Sequence, residues 1–217
     1  MNTLLYKTIE ALDLNTLSEE RKNILDLLVV FIQEKKTAQA LVKLHFICTH
    51  NSRRSHFSQI WAQAMAAYHK VPHVLCYSGG TEATALYPMI IKTLAAQGFD
   101  IYPIAEGENP IYAIHYSERS LPLIGFSKKI DHPLTAFIKH LAFLIANKYE
   151  IEFEKFRKDK GIILPENISF NIKIMQSRYL SESCVCFALC AIFTVQNFKC
   201  AFFVRLNMAK VFTTVAK

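Results

Sequence analysis

Between residues 18 and 35, Ile24, Leu27, Leu28, Phe31 and Ile32 recur at intervals of three and four. That spacing lays one apolar stripe along a helix. Thr16 with Glu19, or Ser18 itself, can cap its start, and Lys35-Lys36 suits the negative end of its dipole. Residues 2–12 predict a shorter helix before it. Residues 41–47 then form an apolar run of strand length. Residues 55–68 place Phe57, Ile60, Trp61, Ala64 and Tyr68 on one helical face, as core packing requires. Residues 73–77 predict a second strand, ended by a Gly79-Gly80 turn. Residues 88–97 predict a third helix that opens on Pro88 and ends at Gly98. Residues 111–116 and 121–126 are strand-like, with 117–120 as the link. Alternating strands and helices predict an α/β fold: a central parallel sheet flanked by helices, with ligands bound beyond the carboxyl ends of the strands.

The pattern divides the chain in three. Residues 1–40 form an N-terminal helical extension, which either covers the sheet or pairs two copies as a homodimer. Residues 41–133 form the α/β domain. Residues 134–217 form a divergent basic and apolar tail, with a helix expected at 134–149 and dense apolar stretches at 184–195 and 200–204. The polar break at Gln196, Asn197 and Lys199 leaves neither stretch near the 20 apolar residues that a membrane helix needs.

The chain has 217 residues, 52% of them hydrophobic, which is ample for one core. Its net charge of +7 is uneven. Residues 1–133 hold 13 basic and 12 acidic side chains, and residues 134–217 hold 12 and 6. The basicity therefore belongs to the tail. There it is scattered among Ile, Phe and Leu, so neither nucleic acid nor a membrane is the expected partner. Lys7, Glu10, Asp13, Glu19 and Glu20 interrupt the first twenty residues, and no leader-like apolar run lies among them. A cytoplasmic location is expected, where thiols stay reduced. No His follows the clustered cysteines at ligand spacing, so no metal is expected.

The candidate chemistry lies in Cys48-Thr49-His50-Asn51-Ser52-Arg53-Arg54-Ser55. A thiol ends a predicted strand, six residues before an arginine at a helix start. A loop wrapped at a helix N-terminus points backbone N–H groups at one spot and attracts an anion. The same field favours a thiolate, the nucleophilic form of cysteine. Arg54 offers a planar fork for two oxygens of a tetrahedral oxyanion, and Ser55 can donate to the sulfur. The implied chemistry is attack by sulfur on phosphorus, or on arsenic in a phosphate mimic.

These residues resemble the P-loop of the low-molecular-weight protein tyrosine phosphatases and the related thioredoxin-coupled arsenate reductases, Cys-x-Gly-Asn-x-x-Arg-Ser. Cys48, Asn51, Arg54 and Ser55 match it. Ser78-Gly79-Gly80-Thr81 resembles the family's Ser-x-Gly-Thr turn, and the likeness extends over residues 1–133. It implies Cys48 as nucleophile, Arg54 as oxyanion clamp and Ser55 as stabiliser of the thiolate. Asn51 would hold the loop, and Thr49, His50, Ser52 and Arg53 would supply the rest of the substrate-binding cup. His50 stands where the common pattern has Gly.

Two expected parts are missing. The chain has no Asp-Pro pair for the phosphatases' general acid; its five aspartates are Asp13, Asp26, Asp100, Asp131 and Asp159. Asp131-His132-Pro133 is the nearest imitation. Nor does any cysteine lie between Tyr77 and Ser183 to serve the reductases' disulfide relay. Cys184, Cys186 and Cys190 are spaced like a relay but read better as buried small hydrophobes. The expected function is phosphate-monoester hydrolysis through a phosphocysteine at Cys48, without a cofactor. Arsenate reduction with thioredoxin or glutathione as reductant is the second expectation, and oxyanion binding without turnover the third.

Overall fold

A computed structural model describes residues 1–133, 173–175, 184–188 and 198–217. In chain order the elements are α1 (Thr3–Glu10), a short 3-10 turn (Leu14–Thr16), α2 (Glu19–Thr37), β1 (Val42–Cys48), α3 (Arg54–Tyr68), β2 (Val74–Gly80) and α4 (Pro88–Ala96). They continue with β3 (Asp100–Ala105), β4 (Ile111–His115), β5 (Leu123–Gly125), β6 (Lys173–Met175), β7 (Cys184–Ala188) and α5 (Phe198–Ala216). The helix expected at 134–149, Asp159 and Cys190 lie outside the described residues.

The fold is mixed α/β around a small parallel sheet. β1 is buried at every position but the half-buried Lys43, the continuous burial of a strand covered on both faces. β2 runs parallel to it, from Val42 opposite Val74 to Cys48 opposite Gly80. β7 lies parallel on the other side of β1, with β6 antiparallel beyond it, giving the order β2-β1-β7-β6.

The expectation that residues 111–116 and 121–126 join this sheet is corrected. β3, β4 and β5 form a separate antiparallel meander. The links between them are too short for a parallel crossover, which takes a dozen residues or more. β3 itself is not legible from the sequence pattern. Its residues are exposed or half-buried, and Pro103 sits within it, which an edge strand tolerates.

Local chemistry sets the helix ends. Ser18 Oγ accepts from Arg21 N–H at 3.3 Å and caps α2, whereas Thr16 closes the 3-10 turn by donating to Asp13 O at 2.7 Å. Gly98 ends α4 with φ of +97° and lies against the backbone of Leu5 in α1, where a Cβ would collide. Asn2 donates its side chain to Gly98 O and to Asp100 Oδ2, tying α1 to the start of β3.

α3 is buried well beyond the single face its pattern predicts: Ser55 through Ala62, then Ala64, Met65 and Ala66, are all covered. The reason is α5, which packs on α3 and α2. Val204, Met208, Val211 and Val215 recur along α5 at three and four and are buried, so the tail carries a helical stripe that its scattered charges obscure. Lys210 pairs with Asp26 at 3.0 Å, and Lys36 donates to Val215 O at 2.8 Å. At the centre, fully buried Trp61 meets Phe99 edge-on at 5.3 Å and donates Nε1–H to Gln97 Oε1 at 3.1 Å. Among the described residues no helix is long and apolar enough to cross a membrane.

Candidate active site

Cys48 is the last residue of β1, and Arg54 is the first of α3. Residues 49–53 link them at the carboxyl end of the parallel strands, the position that such sheets use for ligands. The loop is held by its carbonyls. Cys48 O accepts from Thr81 N–H at 3.2 Å, and Thr49 O from Glu82 N–H at 2.8 Å. His50 O accepts from Ser127 Oγ at 2.7 Å, and Ser52 O from Tyr87 N–H at 3.0 Å. In a trans peptide the following N–H points the opposite way. The N–H groups of Thr49, His50, Asn51 and Arg53 are therefore turned away from these walls, as an anion nest requires.

Two glycines let the walls approach. A Cβ on Gly80 would lie 2.6 Å from Thr49 O and 2.7 Å from Asn51 N, and one on Gly79 would lie 2.9 Å from His45 Nε2. The Ser78-Gly79-Gly80-Thr81 match thus reflects a close passage of β2 beneath the loop. The loop's left-handed residue is Asn51, with φ of +43°. His50, which stands where the P-loop pattern it resembles has Gly, does not take a positive φ. Asn tolerates this region better than most residues.

A run of buried hydrogen bonds crosses the loop. Asn51 Oδ1 accepts from Lys128 N–H at 3.0 Å, which fixes the amide's orientation. Asn51 Nδ2 then donates to Ser55 Oγ at 2.7 Å. Ser55 Oγ lies 3.1 Å from Cys48 Sγ, a hydrogen bond in which either atom can be the donor. Cys48, Asn51, Ser55 and Thr49 are buried, Ser52 and Arg54 half-buried, and Arg53 exposed. Arg53 stacks its guanidinium 5.3 Å from the Tyr87 ring centroid, and His50 Nε2 lies 3.3 Å from Glu82 Oε2 on the rim.

Several supporting residues escape the sequence pattern. Ser127 is clamped by Asn109 through two hydrogen bonds, of 2.7 and 3.0 Å, and also accepts from Thr84 N–H. Beneath the loop lie His45, His56, Ser78 and Lys128, all buried. Burial, then the Lys128 charge, pulls the His45 pKa down to about 3; the same two causes hold His56 well below the usual histidine range. The only hint in the sequence is a histidine inside each of two apolar stretches.

Cys76 lies in β2 and is buried, and burial pushes its thiol up, away from reactivity. β7 places the backbone of Cys184 opposite Lys43 and that of Cys186 opposite His45. Asp131 is exposed and follows Ile130, whose N–H donates to Gly80 O at 2.9 Å, at the sheet end that carries Cys48. No group of His, Cys, Asp and Glu among the described residues is arranged to hold a metal. The chain matches no protein-family model and no curated protein.

Proposed function

We propose that the chain is a cysteine-dependent phosphatase with a fold like that of the low-molecular-weight protein tyrosine phosphatases, acting on phosphate monoesters. The observation that carries this reading is the chain of hydrogen bonds linking Asn51, Ser55 and Cys48 Sγ. It lies within a loop whose carbonyls are pinned outward at the start of α3. A serine hydroxyl beside the sulfur is placed to donate to it, and outward carbonyls leave amide hydrogens for oxyanion oxygens.

In the proposed reaction the Cys48 thiolate attacks phosphorus. The S–P bond forms as the ester P–O bond breaks, and the leaving oxygen takes a proton from the site or from solvent. Water then attacks the phosphocysteine, the S–P bond breaks, and inorganic phosphate leaves with Cys48 restored. Arg54 and the amides of residues 49–53 would hold the three equatorial oxygens. The leaving group that depends least on a general acid is nitrophenolate, which makes p-nitrophenyl phosphate the appropriate substrate.

The test is its hydrolysis by the full chain and by Cys48→Ser, with arsenate reduction by thioredoxin or glutathione run alongside. Hydrolysis that Cys48→Ser abolishes supports the proposal. Arsenite release with negligible hydrolysis would assign the site to arsenate reduction instead. Phosphate binding without either turnover would leave an oxyanion-binding protein. The reductase reading needs accessible relay thiols, and buried Cys76 does not supply one.

A further inference from the structure

Lys128 is 4% exposed, and no carboxylate among the described residues pairs with it. A buried ammonium is ordinarily paired. Here its acceptors are Phe126 O at 3.3 Å and Ser78 Oγ at 3.5 Å, with the Phe126 ring centroid 4.7 Å away. Among the described residues, the side chains that interact with it are those of Phe126, His45 from β1, His56 from α3 and Ser78 from β2, and no anion is among them. Its backbone meanwhile belongs to the site: Lys128 N–H donates to Asn51 Oδ1, and Lys128 O accepts from Gly80 N–H, the partner of Cys48. Ser78 is opposite Phe46, two residues below the Cys48–Gly80 pair, or about 6–7 Å along the strands.

We propose that Lys128 is a positioning residue whose buried charge, held directly beneath the Cys48 loop, has its counter-ion in the oxyanion bound above it. This rests on the oxyanion-binding reading of that loop. The arrangement explains why a cation is kept where no carboxylate among the described residues answers it: the neutralising charge arrives with the ligand. Burial first, and repulsion from Lys128 second, keep both neighbouring histidines neutral. Burial lowers the Lys128 pKa to about 8, so the charge is present at neutral pH and leaves in mild alkali. His45 and His56 stay neutral throughout that range, and the His50–Glu82 pair on the rim is common to every form compared.

The experiment measures sulfate affinity by calorimetry from pH 6.5 to 9.5, because sulfate is a dianion throughout. It uses full-length Cys48→Ser, which removes the thiol's own titration, with and without Lys128→Met. At pH 7 the Lys128→Met form is expected to bind sulfate about tenfold more weakly. The two forms converge near pH 9.5, and only the lysine form shows a pH dependence centred near 8. The thermal midpoint of Lys128→Met is expected to be equal or higher, because an uncompensated buried cation has been removed. Sulfate bound equally by both forms overturns the inference and leaves the reading of the loop intact. Weaker binding with a lower midpoint reduces Lys128 to a structural part and also overturns it. Sulfate bound by neither form overturns the loop reading, and the inference falls with it.

Discussion

Asn51 donates its side-chain amide to Ser55 at 2.7 Å, and the same serine oxygen lies 3.1 Å from the sulfur of Cys48. The same asparagine accepts from Lys128 N–H and takes the loop's left-handed turn. Three jobs fall on one residue, and they can be separated by substitution.

Asn51→Ala is expected to lose about 2–3 kcal/mol of stability, from two broken hydrogen bonds and a left-handed alanine. It should also lose about a hundredfold in kcat/KM on p-nitrophenyl phosphate. Asn51→Gly relieves the backbone cost and not the missing amide, so it should recover part of the stability and little of the rate. Urea melts and steady-state kinetics on the three proteins check this. Equal rates in Asn51→Gly and the parent would show that the amide has no part in the reaction.

Gly80 is the place where β2 meets the loop. An added Cβ would come within 2.5 Å of Glu82 O as well as close to Thr49 O and Asn51 N, all of them backbone atoms that cannot swing aside. Gly80→Ala is therefore expected to cost about 3 kcal/mol or more and to weaken phosphate binding in whatever fraction folds. Denaturant unfolding and phosphate titration provide the measurement. A stable Gly80→Ala protein with parental affinity would contradict the close packing.

Acid should unfold the protein through its buried histidines. The folded-state pKa of His45, about 3, lies below the usual 6.5. Between those values the unfolded chain binds the proton and the folded chain does not. Stability is thus full above pH 6.5 and falls as pH drops toward 3, by on the order of 4–5 kcal/mol for His45, with His56 acting in the same direction. His45→Phe is expected to flatten the stability–pH curve over that window in urea melts followed by fluorescence. An unchanged slope would assign the acid sensitivity elsewhere.

Tyr87 is tied to the loop through its N–H on Ser52 O and carries Arg53 against its ring. It is 40% exposed, and under the proposed function it would stand beside the cup as a wall for an aromatic leaving group. Tyr87→Ala is expected to raise KM for p-nitrophenyl phosphate about three- to tenfold with little change in kcat. A comparable loss on a small alkyl phosphate would mean that the ring shapes the loop rather than meeting the substrate.

How much of this was legible before any coordinates depends on how local each signal is. The strand–loop–helix around Cys48 is written in consecutive residues, whereas Gly79-Gly80, expected as a turn after residue 77, instead extend β2 to Gly80 opposite Cys48. Ser18, Pro88 and Gly98 act within one helical turn. β3 carries no such mark, because its side chains are exposed on an edge. Lys128 is equally illegible: Ser127-Lys128-Lys129 has the composition of a solvated surface, and only the approach of three other segments buries the first lysine. α5 shows a third case, where a regular apolar stripe is present and is hidden by scattered basic residues.

The packing of α5 on α3 sets a timetable for folding. Arg205 lies over the Trp61 ring, and Thr213 meets His69, so the helix that follows the Cys48 loop acquires its cover from residues 144 positions later. Contacts of such separation form late and slow a chain down. During synthesis, every segment that shapes the loop emerges well before Phe198–Ala216 does. Until that helix arrives, the part of α3 that it covers lacks this partner, and apolar surface left open in such a way favours aggregation.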